Sequence, residues 1–307
     1  MTVKTFRDFG VEALLPLYSK EEAKGLIGAI LEQFCHIPTH TCYSDPHRPL
    51  SKETLPNLLN ALADLLQYRP IQYVLGQTLF ERAILKVKEG VLIPRSETAE
   101  LVRWAAEKIT PLYNNPSSFS LLDLCTGSGA IAISLAQLFP NVKVYGVDVS
   151  ELALQIAHEN ALLNKVKISL YKANILLPPH LSECPLMPHS LDMMISNPPY
   201  VRLSEKDNME RNVLDYEPHL ALFVPDEEPL LFYNAITDWS QTLLKDGGIL
   251  MVEINEQMDR EIIELLLCRG FSSIEIRKDV QVKPRMCYAV KSFSKRQSFH
   301  SRPCQYP

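Results

Sequence analysis

No stretch of the 307 residues is both apolar enough and long enough to cross a bilayer. Met1-Thr2-Val3-Lys4-Thr5-Phe6-Arg7-Asp8 has no apolar segment behind its charges. Neither a membrane span nor a signal peptide is therefore expected. An excess of basic charge is also lacking. Against 31 Lys and Arg stand 36 Asp and Glu, for a net charge of -5. Binding nucleic acid phosphates needs a positive face, so the balance argues against a stable nucleic-acid partner. The seven cysteines (Cys35, Cys42, Cys125, Cys184, Cys268, Cys287 and Cys304) are odd in number and scattered, with no Cys-x-x-Cys pair. That pattern suits reduced thiols in a cytoplasm better than a disulfide framework. Cys35-His36 with His40 and Cys42 has metal-ligand residue types, but the spacing is irregular and Pro38 interrupts it, so no metal is expected. Internal repeats and low-complexity blocks are absent. These absences predict a cytoplasmic, soluble protein, with no membrane partner.

What is present reads as two unequal parts. With 46% hydrophobic residues the chain can bury a full core, and its length suggests two domains. Up to about residue 78 the spacing predicts helices. Ser19-Lys20-Glu21-Glu22 is a capping-box pattern, followed by Leu26, Ile27, Ile30, Leu31 and Phe34 at helical spacing. A second helix is expected from Ser51, with Pro56 in its first turns and Leu58, Leu59, Leu62, Leu65 and Leu66 on one face; Arg69-Pro70 ends it. A hairpin is expected from 84–87 and 91–93 around Glu89-Gly90. After a helix from Glu97, strands are expected at 120–124, 142–147, 167–171, 191–196, 248–254, 272–277 and 286–291. Helices are expected at 129–138, 150–162, 229–244 and 257–268. Such alternation predicts an α/β domain with a mostly parallel sheet. The expected organisation is a helical domain over 1–78, an α/β domain over 79–292 and a disordered polar tail over 293–307.

Glycine is scarce, 11 in all, which makes two in one loop informative. Leu121-Leu122-Asp123-Leu124 reads as a buried strand. Cys125-Thr126-Gly127-Ser128-Gly129-Ala130 then leads into the helix. Glycines at that junction let a backbone approach a ligand and present free amides at a helix start. The next strand, Val144-Tyr145-Gly146-Val147-Asp148, ends in an acid about 20 residues after Gly127, the placement that binds ribose hydroxyls. A ribose-containing ligand is predicted, either a nicotinamide dinucleotide or S-adenosylmethionine. A helix N-cap is the competing role for Asp148.

The strand Asp192-Met193-Met194-Ile195-Ser196 runs into Asn197-Pro198-Pro199-Tyr200. Ligands of an open α/β sheet sit beyond the carboxyl ends of its strands, where this tetrapeptide falls. Two prolines fix the backbone and remove two N–H donors, leaving carbonyl acceptors, one amide side chain and an aromatic ring. That set suits a planar nitrogen of low nucleophilicity. If its two N–H groups donate to Asn197 and to the Pro198 carbonyl, its lone pair can face a sulfonium methyl. No obvious general base is present, and none is needed, because the methylated nitrogen sheds its proton readily.

Together these residues resemble the peptide chain release factor glutamine methyltransferases over nearly the whole chain. The resemblance is carried by Arg69-Pro70-Ile71-Gln72-Tyr73-Val74-Leu75-Gly76, Val91-Leu92-Ile93-Pro94-Arg95 with Glu97-Thr98, Asp123 to Gly129, Asp148, Asn197 to Tyr200, Tyr216-Glu217-Pro218 and Glu253-Ile254 with Gln257. It implies a class I S-adenosylmethionine-dependent methyltransferase fold, a Rossmann-like seven-stranded sheet, with a small all-α N-terminal domain that recognises class I release factors. It implies methylation of the glutamine of their Gly-Gly-Gln motif; the enzyme is expected to act as a monomer. Cys125, Thr126, Gly127, Ser128, Gly129, Asp148, Asn174, Ile175 and Asn197 would bind the cofactor, and Asn197, Pro198, Pro199 and Tyr200 would act on the substrate. Cys125 stands where the family usually has glycine, and Asn174-Ile175 where it usually has an acid and an aromatic.

The rival readings are a DNA or RNA adenine N6-methyltransferase, a non-catalytic adaptor, and an NAD-linked dehydrogenase. The first needs a base-recognition domain and a flipped base, and the elements after Tyr200 leave no room for one. The second would not turn over S-adenosylmethionine. The third lacks an evident catalytic His or Tyr-x-x-x-Lys set.

Overall fold

The computed structural model describes residues 1–112, 119–180 and 183–293, so the expected tail lies, beyond Phe293, outside the described residues. The chain divides into two compact units. One comprises Met1–Thr78, Val87–Glu89 and Met209–Glu217; the other comprises Leu79–Lys86, Gly90–Asn208 and the chain from Pro218 onward.

The first unit is helical. Helix α1 (Val3–Leu14) starts at a reciprocal capping box between Thr2 and Thr5, and α2 (Lys20–Cys35) at Ser19, whose hydroxyl accepts the Glu22 N–H. A short turn, α3 (Thr41–Ser44), precedes α4 (Leu55–Leu65) and α5 (Ile71–Leu75). Phe6, Leu14, Ile27, Ile30, Leu31, Leu58, Leu62 and Leu65 form one buried cluster. Each contributes roughly 1.5–3 kcal/mol of transfer free energy. Leu58, Leu62 and Leu65 of the second predicted helix form the buried face of α4, which begins at Leu55 rather than Ser51, while Leu59 and the C-cap Leu66 are exposed. The Ser51 hydroxyl instead accepts the Thr54 N–H and closes the preceding turn. Helix α1 went unforeseen, because its core residues Val3, Phe6 and Leu14 are too sparse for a clear stripe. Helix α9 (Arg211–Tyr216), late in sequence, belongs to this unit: the Tyr216 hydroxyl donates to the Gln67 carbonyl and Arg211 lies over the Tyr68 ring.

The first two-stranded sheet is not the one expected. Strand β2 (Ala83–Lys86) pairs with β1 (Gln77–Phe80), and 91–93 is not a strand. The turn is made at Glu81, which adopts a left-handed backbone (φ 51). Val91 instead buries against Ala153 and Ile156. Helix α6 (Ser96–Ile109) follows and buries Leu101, Val102, Trp104, Ala105 and Ile109.

The main sheet combines β3 (Ser120–Leu124), β4 (Lys143–Asp148), β5 (Ser169–Lys172), β6 (Leu191–Ser196), β9 (Leu244–Glu253), β10 (Phe271–Lys278) and β11 (Pro284–Lys291). Its order is β10-β11-β9-β6-β3-β4-β5, seven strands as expected. Neighbours from β9 to β5 run parallel, while β11 is antiparallel to both β9 and β10. The order reflects the connections. From β3 the chain passes through α7 (Ala130–Leu138) to β4 and through α8 (Glu151–Leu163) to β5, then returns to the other side of β3 as β6. Strand β3 is buried along its full length, the pattern of a central strand covered on both faces. Helices α10 (Leu231–Leu243) and α11 (Asp259–Cys268) complete the layers, and β7 (Val201–Arg202) pairs with β8 (Phe223–Val224) beside them. The sheet changes direction of travel at β3, so the carboxyl ends of β3, β4 and β6 come together at one switch point.

Candidate active site

At that switch point a cavity of ≈220 Å³ opens, its lining mostly apolar. Cys125, Thr126, Gly127 and Ser128 line it, as do Asp148, Asn174, Ile175, Asn197 and Pro199. Three sequence-predicted residues do not. Gly129 caps α7 with a left-handed backbone (φ 81) and packs on Ile133 and Ala157. Pro198 is buried and Tyr200 packs against the apolar cluster that includes α10. Leu92 and Pro94, noted in the sequence only as motif members, also line the cavity, as do Val149, Leu220 and Phe232, which no sequence signal marked.

The loop after β3 is held by specific bonds. The Thr126 N–H donates to the Val147 carbonyl and the Thr126 hydroxyl to Asp123 Oδ2 (2.6 Å). The second oxygen of Asp123 is buried without a partner, and burial pushes this carboxyl up to about 7. Cys125 takes a left-handed backbone (φ 58), a conformation that favours glycine. Burial, with Asp148 and Asp123 nearby, pushes its thiol well above its ordinary value. From behind, buried Asn160 donates to the Ser128 carbonyl (2.9 Å) while pairing with both backbone groups of Lys86.

Asp148 is not the cap of α8; Ser150 is, accepting the Ala153 N–H. Instead Asp148 Oδ2 accepts the Gly127 N–H (2.9 Å) and Oδ1 the Ser150 N–H (2.9 Å). Burial raises its pKa, against those backbone bonds. Each carboxylate oxygen keeps a further lone pair, so the half-buried group can still accept from a diol in the cavity. Across the cavity, Asn174 Oδ1 accepts the Leu176 N–H, and Ile175 offers an apolar surface.

Asn197 closes the other side. The Ser196 hydroxyl ties β6 to β3 at the Leu124 carbonyl (2.7 Å), fixing the strand end from which Asn197 projects. Asn197 Nδ2 donates to the Thr98 hydroxyl (2.9 Å), and Thr98 donates to Glu253 Oε2 (2.7 Å). The Tyr200 hydroxyl donates to Glu253 Oε1 (2.8 Å), and the Tyr200 carbonyl accepts from Asn255 Nδ2. Glu253 is 1% exposed, and burial raises its pKa. Thr98 and Glu253 were noted in the sequence only as motif members; the chain of bonds from Asn197 through Thr98 to Glu253 spans too many residues to be read there. Among the described residues no group of three or more His, Cys, Asp or Glu is placed to hold a metal ion, and no helix is long and apolar enough to cross a membrane.

Comparison with known proteins places these features in a family. The methyltransferase small domain model matches residues 109–216. A release factor glutamine methyltransferase of Flavobacterium psychrophilum is 40% identical, with 93% of this chain and 98% of that protein aligned. That of Bacteroides thetaiotaomicron is 37% identical over 91% of this chain and 96% of its own length. That of Thermodesulfovibrio yellowstonii is 31% identical over 80% and 85%.

Proposed function

The chain belongs to the release factor glutamine methyltransferase family, and from that premise we propose that it methylates the side-chain amide nitrogen of the glutamine in the Gly-Gly-Gln motif of class I peptide chain release factors, with S-adenosyl-L-methionine as donor. The observation that carries the reading is that the Asp148 carboxylate and the Asn197 amide open into one apolar cavity. The cavity fits such a donor. A Cβ at Gly127 would meet nothing closer than the Cys125 carbonyl at 4.0 Å, so a ligand can lie against the backbone there.

In this reading Asp148 holds the ribose hydroxyls, and the loop Cys125 to Gly129 follows the rest of the cofactor, with Gly129 setting the loop's path. Asn174 and Ile175 border the base, Asn174 with its Nδ2 and Ile175 with its apolar surface. S-adenosylmethionine supplies an electrophilic methyl on a sulfonium sulfur. Asn197 Oδ1 and the Pro198 carbonyl each accept one N–H of the glutamine amide, which turns its lone pair toward the cavity. Pro199 walls the flat group, and Tyr200, packed in the apolar cluster and tied to Glu253, holds the tetrapeptide in place. With the donor bound, the methyl would pass to the nitrogen as its S–C bond broke, the cofactor would leave as the neutral thioether, and the nitrogen would release one proton to water. Positioning and preorganised acceptors supply the rate.

The helical unit beginning at Met1 recognises the release factor, since the relatives align over almost their whole length. A cytoplasmic monomer belongs to the same proposal, and the absence of a stable nucleic-acid partner is supported by the acidic balance of the chain. The test offers purified release factor, its Gln→Ala loop variant and duplex DNA in parallel with labelled S-adenosylmethionine. One methyl on the loop glutamine, absent from the variant, is the expected result. Label on DNA, or label retained by the variant, would overturn the substrate assignment.

A further inference from the structure

The mechanism above gives the buried carboxylate of Glu253 nothing to do, although it lies two hydrogen bonds from Asn197. Glu253 ends β9, and its two oxygens accept from Thr98 of α6 and from Tyr200. An ionised carboxylate is acceptor-only, and a hydroxyl has a single proton. Thr98 commits that proton to Glu253, so toward Asn197 it can only accept. The Asn197 Nδ2 donates to it, which leaves Oδ1 as the end of the amide turned to the cavity. The two ends of an amide have nearly the same shape, and only hydrogen bonding separates them.

We propose that Glu253, acting through Thr98, sets the polarity of the Asn197 side chain, so that the substrate meets a carbonyl acceptor and not a second donor. Both are positioning residues for the reaction proposed above, and the inference rests on that reading. A flipped Asn197 would set N–H against the N–H groups of the glutamine amide and would misdirect its lone pair. The same carboxylate holds Tyr200 through its hydroxyl, so one buried charge orients two members of the tetrapeptide.

A pH signature follows. Facing Glu253 are Thr98 and Glu97 from α6, Tyr200 after β6, Tyr233 from α10 and Arg285 from β11. The Thr98 and Tyr200 hydroxyls and Arg285 favour the ionised form; Glu97 and burial oppose it. Protonated Glu253 gains a proton to donate and lets the chain of bonds run in reverse, so wild-type kcat falls on the acid side.

The test uses the full chain with release factor as substrate. Glu253→Gln keeps the shape but leaves one acceptor for the two hydroxyls, so either Thr98 or Tyr200 must reverse its bond. It is expected to lower kcat by about 10²-fold and to remove the acid limb. Affinity for S-adenosylmethionine and the unfolding midpoint stay at wild-type values. Thr98→Val shows the same loss, and Thr98→Ser, which keeps the hydroxyl, recovers most of the rate. The Thr98→Val/Glu253→Gln pair is no slower than the worse single variant, because both act through one set of bonds. Wild-type kcat in Glu253→Gln or Thr98→Val, or losses that multiply in the pair, would overturn the inference. So would a loss that tracks cofactor affinity and stability together. A wild-type enzyme inactive on release factor would overturn the parent reading and this one with it, whereas an active wild type with unimpaired variants would overturn this one alone.

Discussion

Alanine at Gly127 and alanine at Gly129 incur one common penalty and differ in a second. Both glycines have left-handed backbones, φ 55 and φ 81. An L-residue there costs about 1–2 kcal/mol, offset by about 0.4–1 kcal/mol from the lower entropy of the unfolded chain. At Gly127 the new Cβ has open space. At Gly129 it would lie 3.0 Å from Ile133 Cδ1, 3.1 Å from Ala157 Cβ and 3.4 Å from Ala157 Cα. The isoleucine tip can turn aside, but the Ala157 atoms are fixed on α8, so the contact between α7 and α8 must open. Overpacking of this kind adds about 1–3 kcal/mol. Gly127→Ala is thus expected to destabilise by about 1 kcal/mol and Gly129→Ala by about 2–4 kcal/mol. Urea unfolding followed by tryptophan fluorescence is the assay. The chain has 2 tryptophans, Trp104 and Trp239, both buried in the second unit, so the signal reports that unit alone. Affinity for S-adenosylmethionine should order the opposite way, since the Gly127 Cβ would occupy ligand space. Equal midpoints for the two variants would refute the packing argument, and unchanged affinity in Gly127→Ala would refute the assignment of the loop.

Two further outcomes follow from buried polar groups of the same unit. Asn160→Ala strips partners from the Ser128 carbonyl and from both backbone groups of Lys86. It should cost about 2–4 kcal/mol in the tryptophan-detected unfolding and weaken cofactor binding through the loosened loop; a neutral result would mean that water replaces the side chain. Asp123 has its folded pKa raised from 3.8 to about 7, so its native form holds a proton that the unfolded chain releases. The stability this contributes is complete below the unfolded value and is lost as pH rises through the folded one. Measured against Asp123→Asn, the wild type should lose stability by up to about 1.4 kcal/mol per pH unit between the two values, and then level off. A pH-independent difference between the two proteins would contradict a protonated Asp123.

Legibility in the sequence followed burial. Strands β3 and β6 are short apolar runs, which a central parallel strand requires, and both were expected at their observed bounds. Expectations for β4, β10, β11, α7 and α8 were off by no more than a few residues, within the usual fraying of element ends. The chain does turn at Glu89-Gly90, but the hairpin failed because 91–93 forms no strand; β2 pairs backwards with β1 across Glu81-Arg82, whose residue types do not favour a turn. The glycine loop, Asp148 and Asn197 were legible because local chemistry demands them at strand ends. The partners that orient them were not. Asn160 reaches back to Ser128 from the following helix, and Glu253 and Thr98 meet 155 positions apart. Hydrogen bonds between such distant residues leave no period or spacing to read. Cys125 is the reverse case: a residue in glycine's place that keeps glycine's backbone conformation.

The central claim is that the Asn197 amide positions the substrate nitrogen in the same cavity as the donor. A single-turnover methylation of release factor by Asn197→Ala, with S-adenosylmethionine binding measured on the same sample, tests it most directly. The account predicts a rate lower by about 10²–10³-fold with most of the cofactor affinity retained. A wild-type rate would contradict it.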